Sequence, residues 1–338
     1  MPARRDSHTP AGTPDEGTEP LVMMIAGPTA SGKSALAAAL AAELGGTVIN
    51  ADSMQVYREL SLLTARPGEA ELQAVPHRLY GVLSGAEACS AGRWRALALA
   101  EVEAALAEGR LPILTGGTGL YLKAFAEGLN EIPEVPAELR QAARAEMAAL
   151  GKAAFHARLA ERDPVMGARL GPSDSQRLLR AWEVLETTGR SLAEWQAAPT
   201  TPAPYRFARL CLLPPREILY ATCDARLEAM VAAGQEGGGA LAEVDALLAL
   251  GLDPALPVMK AVGVPEFAAY LAGETSLEAA LAQAQQATRR YAKRQMTWLR
   301  HQFIGNDPTV NVIETQYSES RRVEIFSKIR QNLLTPPN

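Results

Sequence analysis

The chain is 338 residues long, enough for one large or two ordinary domains, and 48% of it is hydrophobic. No apolar run is long enough to span a bilayer, so no membrane partner is expected. A net charge of −5 excludes a uniformly basic nucleic-acid binder but leaves room for a local basic groove, because association follows local charge. Residues 1–20 carry four prolines and almost no large apolar side chains, which predicts a disordered N-terminal tail. Arg4 and Arg5 are followed by Asp6 and by no apolar segment, so a secretory signal is not expected and a cytoplasmic location is. Cys89, Cys211 and Cys223 are scattered and form neither a disulfide framework nor a zinc site.

Leu21 to Ala26 reads as a buried strand, and Ala35 to Leu40 as the body of a helix. Between them lies Gly27-Pro28-Thr29-Ala30-Ser31-Gly32-Lys33-Ser34, which has the G-x-x-x-x-G-K-[ST] form of a P-loop in the strand–turn–helix context that the motif requires. Glycines allow backbone N–H groups to close around phosphate oxygens, and the helix N-terminus adds positive partial charge. Lys33 can reach a terminal phosphate, and the Ser34 hydroxyl can hold Mg²⁺. The motif says that phosphates bind, but not whose.

Thr47 to Asn50 is the second strand, which places Asp52 at its carboxyl end, where open α/β sheets border their ligand crevice. Asp52 can serve there as a functional carboxylate, as the cap of a following helix, or as both. Thr64 to Pro67 lies in a loop, and His77 to Tyr80 precedes a short strand. A helix is expected from Ala91 to Glu108, then a buried strand at Leu111 to Leu114. That strand runs into Thr115-Gly116-Gly117-Thr118-Gly119, small residues that would let a ligand approach the backbone. It lacks the acidic residue with which many P-loop NTPases hold Mg²⁺, and the chain has no Asn-Lys-x-Asp sequence for guanine.

From about residue 131 to 204 no strand pattern appears. Helices are expected at about 137–150, 152–162 and 174–187, with Gly151 as a stop, Asp174 as a cap, and a fourth short helix after Ser191. The third carries Gln176 and Arg180 on one face, with Arg177 beside them. Phe207 to Leu213 resumes the β pattern, and a helix bearing Arg226 follows. Gly237 to Gly239 is expected to be a flexible surface loop. The last strong helix runs from about Ser276 to Phe303, with Thr275 and Glu278 fitting a capping box. Between Leu281 and Asn306 there is no acidic residue, while Arg289, Arg290, Lys293, Arg294 and Arg300 all occur, which suggests a polyanion contact. The segment 306–338 shows one weak strand and one weak helix at most. The expected fold is thus α/β: a P-loop-type parallel sheet flanked by helices, built from 21–130 and 205–305, with a small all-helical domain inserted at 131–204.

The ordered set of motifs, from Gly27–Ser34 through Asp52-Ser53-Met54-Gln55-Val56-Tyr57, Gly116–Tyr121 and Gln176-Arg177-Leu178-Leu179-Arg180 to Ala292–Arg300, resembles the tRNA dimethylallyltransferases (tRNA isopentenyltransferases) over about residues 21–305. The resemblance implies transfer of a dimethylallyl group from dimethylallyl diphosphate to N6 of the adenosine 3′ of the tRNA anticodon. It implies that Gly27, Pro28, Thr29, Ala30, Ser31, Gly32, Lys33, Ser34 and Arg226 bind the diphosphate, with Mg²⁺ at Ser34. Asp52 is then the general base, and Thr118 and Arg140 border the reacting groups. Asp52, Ser53, Met54, Gln55, Gln176, Arg177, Leu178, Leu179, Arg180, Arg289, Arg290, Lys293 and Arg294 are implied to contact the tRNA, and a monomer is implied. Val264-Pro265 stands where many members have Tyr and a basic residue, which departs from the pattern in one tRNA-contacting loop. The alternative is a P-loop kinase of a nucleotide or small metabolite, which explains neither the helical insertion nor the basic helix.

Overall fold

The computed structural model describes residues 19–233, 238–305 and 307–333. In chain order the elements are β1 Leu21–Ala26, α1 Lys33–Leu44, β2 Gly46–Asn50, α2 Glu69–Ala74, β3 His77–Arg78, α3 Ala91–Ala107, β4 Leu111–Gly116 and α4 Gly119–Glu127. Then come α5 Ala137–Leu150, α6 Lys152–Arg162, α7 Pro164–Arg169, α8 Ser175–Thr188 and α9 Leu192–Ala197. The chain closes with β5 Arg206–Leu212, α10 Arg216–Ala232, α11 Gly239–Ala249, α12 Val264–Leu271, α13 Leu277–Trp298, β6 Asn311–Ile313 and α14 Arg322–Leu333.

The described residues up to Ala126 together with those from Ala203 onward form one compact unit, and Glu127–Pro202 form a second. In the first unit six strands pair in parallel, in the order β3-β2-β4-β1-β5-β6. Parallel strands need both faces covered, and their sequences show it. In β1, Val22, Met24 and Ala26 join one apolar cluster while Met23 and Ile25 join the other, and all five are fully buried. One face is covered by α1 and α14, which contribute Leu36, Leu40, Ile325 and Phe326. The other is covered by α3, α4, α10 and α13, with Trp94 stacked on Tyr121 at 4.5 Å. The weak strand of the C-terminal segment is β6, which extends the sheet beside β5, and the weak helix is α14.

The second unit is purely helical around Phe155, Leu159, Leu178, Trp182 and Val184. Arg158 and Arg162 both lie over the Trp182 ring, with Arg162 at 4.9 Å. Among the described residues no helix is long and apolar enough to cross a membrane.

Several local expectations shift. No helix follows Asp52. Its Oδ1 accepts from the Met54 backbone N–H at 2.9 Å, an Asx turn that gives the backbone another partner. Ser276, not Thr275, caps α13 by accepting from Ala279 N at 3.2 Å. The helix passes into a π-turn at Leu299–Ile304. Of the expected tail, residues 1–18 lie outside the described residues, while the Pro20 carbonyl is ordered against Arg206 N at 3.0 Å. Gly237 also lies outside them, and Gly239 begins α11 rather than a loop. Val264 and Pro265 open α12, with Val264 buried, so they act as a helix start.

Candidate active site

Three strand ends converge in the first unit. Register pairs Ala26 of β1 with Gly116 of β4, and Asn50 of β2 with Thr115 of β4. The loops that leave β1, β2 and β4 therefore start side by side at the carboxyl edge of the sheet, where such folds place ligands.

The loop after β1 has the backbone geometry that its P-loop sequence implies. Ala30 and Gly32 both adopt positive φ, 63° and 87°, which curls the backbone and aims successive N–H groups at one point. Gly32 is the N-cap of α1 and has no side chain to satisfy the first N–H groups, and no acidic residue stands in the first turn. The helix end is thus left to an anion. Arg226 from α10 donates to Thr29 Oγ1 at 2.5 Å, which brings its guanidinium to the rim. Lys33 donates to the Pro28 carbonyl at 3.3 Å. Desolvation lowers the Lys33 pKa from 10.5 to about 8, opposed by the nearby Asp52 carboxylate and reinforced by Arg226. Burial lowers the Arg226 pKa in the same way.

The loop after β2 presents Asp52. Asn50 holds it: Oδ1 accepts from Asp52 N at 2.8 Å, and Nδ2 donates to the carbonyls of Asp52 and Leu79, both at 3.1 Å. The loop after β4 presents Thr118, whose Oγ1 accepts from Ser53 N at 2.9 Å and lies 3.2 Å from Ser53 Oγ. Asp52 and Thr118 are thereby tied into one network.

The glycines after β4 do not clear space for a ligand, as the sequence reading expected. A Cβ on Gly116 would sit 2.1 Å from the Ala51 backbone, so Gly116 is needed for the β2 loop to cross over it. A Cβ on Gly117 would meet the Gln295 amide at 2.2 Å, and one on Gly119 the Trp298 ring at 2.0 Å. These small residues let the protein's own elements approach the site.

Gln295, assigned no role in the sequence reading, is the link among these loops. From α13 its buried amide accepts from Thr29 N and donates to Gly117 O, both at 2.9 Å. It thus joins the phosphate cradle to the β4 loop. Tyr291, one turn earlier, is half-buried beside it, and burial raises the pKa of its phenol. Both sit inside the Arg-rich run, and that charge signal drew attention away from them.

A cavity of about 250 Å³ opens among these groups. Thr29, Asp52, Arg226, Lys260 and Arg294 line it together with an aliphatic patch of Met54, Leu63, Leu227 and Met230. The Leu63 loop is held by the Glu243 carboxylate, which accepts from the N–H groups of Leu62 at 2.8 Å and Leu63 at 2.7 Å.

The implied tRNA contacts fare unevenly. Arg290, Lys293 and Arg294 are exposed on α13, and Arg294 also lines the cavity, its guanidinium 5.7 Å from the Tyr291 ring. Arg289 is committed to Asp224, 2.6 Å away, so its charge is spent inside the protein. The Gln55 amide donates to the carbonyls of Thr64 and Ala65 at 2.9 and 3.0 Å and shapes the loop. In the helical unit Gln176 and Arg177 are exposed, Leu179 and Arg180 are half-buried, and Arg140 lies 3.6 Å from Glu134. Leu178 is corrected: it is fully buried in that unit's core and offers RNA no side chain.

A magnesium ion fits the donor chemistry. Ser34, in the first turn of α1, supplies a hard hydroxyl oxygen. Among the described residues no cluster of three His, Cys, Asp or Glu could hold a metal, but Mg²⁺ on a phosphate substrate needs only one or two protein oxygens.

A P-loop-type turn, a carboxylate at the same sheet edge and an aliphatic patch are marks of a P-loop-type group transferase rather than an ordinary nucleotide hydrolase. The chain belongs to the IPP transferase family, whose model matches residues 55–302. It is 56% identical over 316 residues to a tRNA dimethylallyltransferase of Paramagnetospirillum magneticum, covering 93% of this chain and 98% of that one. It is 57% identical over 321 residues to a tRNA dimethylallyltransferase of Rhodospirillum rubrum, covering 94% and 97%. Among solved structures it resembles the full-length tRNA isopentenylpyrophosphate transferase of Bacillus halodurans, with a TM-score of 0.65 and 32% identity over 94% of this chain and 97% of that one.

Proposed function

We propose that this chain is a tRNA dimethylallyltransferase. It transfers a dimethylallyl group from dimethylallyl diphosphate to N6 of the adenosine 3′ of the anticodon, as a cytoplasmic monomer. The observation that supports the reading most is that one cavity is lined by Thr29 and Arg226, by the Asp52 carboxylate, and by the aliphatic side chains of Leu63, Leu227 and Met230. A diphosphate suits the polar groups, and a short branched hydrocarbon suits Leu63, Leu227 and Met230.

In the reaction the N6 lone pair forms a bond to the allylic carbon while the carbon–oxygen bond to the diphosphate breaks. Asp52 accepts the proton that N6 loses, and Asn50 keeps its loop in place. Lys33 and Arg226 meet the growing charge on the leaving diphosphate in a site where water is scarce. Ser34 would hold Mg²⁺ together with the diphosphate, and the ion would add to that neutralisation. Thr118, which accepts from Ser53 N, holds the loop that carries Asp52. The target base must leave its stack to reach Asp52, which an anticodon loop allows at modest cost. Arg290, Lys293 and Arg294 contact tRNA phosphates, as do Arg177 and Arg180 of the helical unit. A kinase reading is not favoured, because it gives the aliphatic patch no substrate.

The test mixes the protein with radiolabelled dimethylallyl diphosphate and an unmodified anticodon stem-loop. Label appearing in RNA supports the reading, whereas ATP hydrolysis or phosphate transfer with no label in RNA overturns it.

A further inference from the structure

The last stretch of the chain lies beyond the 55–302 region that the family model matches, and sequence reasoning assigned it no role. It nevertheless touches the phosphate cradle. Past β6, Gln316 donates from Nε2 to the Ala30 carbonyl at 3.0 Å. The backbone N–H of Tyr317 faces the Ser31 carbonyl at 3.4 Å. Gln316 Oε1 also lies 3.3 Å from Thr222 Oγ1, whose one proton is shared with the closer Ile218 carbonyl at 2.9 Å. Thr222 stands on α10, one turn before Arg226. Tyr317 is buried in the cluster that includes Leu36, Leu212 and Phe326, which anchors the segment.

These contacts fall where the cradle is under most backbone strain. Ala30 and Gly32 sit at φ 63° and 87°. For a residue with a Cβ such as Ala30 that region persists only when the surroundings enforce it. A trans peptide points its carbonyl and its N–H to opposite sides. Holding the Ser31 carbonyl outward on Tyr317 therefore turns the Gly32 N–H inward, toward the phosphate position. Tyr317 also packs against Gly32 so closely that a Cβ there would lie 2.9 Å from it, which blocks outward rotation of the loop.

We propose that Gln316 and the Tyr317 backbone form a brace that presets the phosphate-binding N–H groups of the cradle. Gln316 and Tyr317 are then positioning residues for the diphosphate. This rests on reading the cradle as a diphosphate site.

The test uses the full chain and its Gln316→Leu variant, with binding of inorganic pyrophosphate and of tRNA measured by calorimetry and thermal melting run in parallel. The brace predicts a five- to tenfold weaker pyrophosphate affinity, about the value of one hydrogen bond. It also predicts a raised KM for dimethylallyl diphosphate, with tRNA affinity held and the melting temperature lowered by no more than the few degrees that one hydrogen bond is worth. Thr222→Val should move pyrophosphate affinity the same way by less. Equal pyrophosphate affinity in wild type and Gln316→Leu overturns the brace while leaving the cradle reading intact. No pyrophosphate binding by the wild type overturns the cradle reading and the brace with it. Parallel losses in tRNA affinity, pyrophosphate affinity and melting temperature show general packing and also overturn it.

Discussion

Lys33 carries a cost that function imposes and that removal should expose. In the free protein desolvation brings its pKa from 10.5 down to about 8. That displacement is worth roughly 3 kcal/mol of lost preference for the ammonium form, at about 1.4 kcal/mol per tenfold change. Lys33 keeps partial solvent contact, so roughly 2 kcal/mol is the fair expectation. The folded pKa lies below the unfolded one, so between about pH 8 and 10.5 the unfolded chain binds more protons and wild-type stability rises with pH. The penalty is fully present below about 8 and gone above 10.5. Replacing Lys33 by Met removes the charge but keeps the stem length. At pH 7 the Lys33→Met protein should therefore melt a few degrees higher, at about 2–4 °C per kcal/mol. Its advantage should shrink as pH is raised toward 10, and pyrophosphate should stabilise the wild type but not the variant. Melting curves from pH 7 to 10, with and without pyrophosphate, check this. A variant no more stable than wild type at pH 7, or an advantage that does not change with pH, would refute the reasoning.

Asp52→Asn keeps the loop geometry but not the base, so single-turnover transfer should fall by about two to four orders of magnitude while tRNA affinity changes little. Equal losses in both, by quench kinetics and filter binding, would remove the base assignment. Lys293→Ala should weaken tRNA binding and reduce the magnitude of the log–log salt slope by about 1. Arg289→Ala, by contrast, breaks the ion pair with Asp224 and should cost roughly 1 kcal/mol of stability with the slope unchanged. Gly117→Ala forces a methyl group against the Gln295 amide at 2.2 Å, so the Thr29–Gln295–Gly117 link should break. Transfer activity should then drop at least tenfold, against a stability loss of roughly 1–3 kcal/mol in urea titration.

The amino-acid sequence alone determined the local structure. Strand, glycine turn and helix around Gly27–Ser34 could be read because the motif acts through adjacent backbone atoms, and it stands in the structure where it was read. The helical stretch at Ala137–Leu150 and Lys152–Arg162 followed from short-range periodicity and a glycine stop, since hydrogen bonding in helices is local. The carboxyl-edge position of Asp52 followed from the strand before it. What the sequence could not rank was any role that depends on contacts between distant segments. Gly116, Gly117 and Gly119 looked like room for a ligand, but the space belongs to Ala51, Gln295 and Trp298. Arg289 looked like its exposed neighbours until Asp224, 65 residues earlier, took its charge. Leu178 shared a motif with Arg177 but turns into the core, because one helix presents both a wet and a dry face. Gln316 sits 286 residues from Ala30, and only the parallel pairing of β6 with β5 brings it behind the cradle. Hydrogen-bond partners and desolvation are set by three-dimensional proximity, so the bridging of Gln295 and the depressed pKa of Lys33 come into being only in the folded chain.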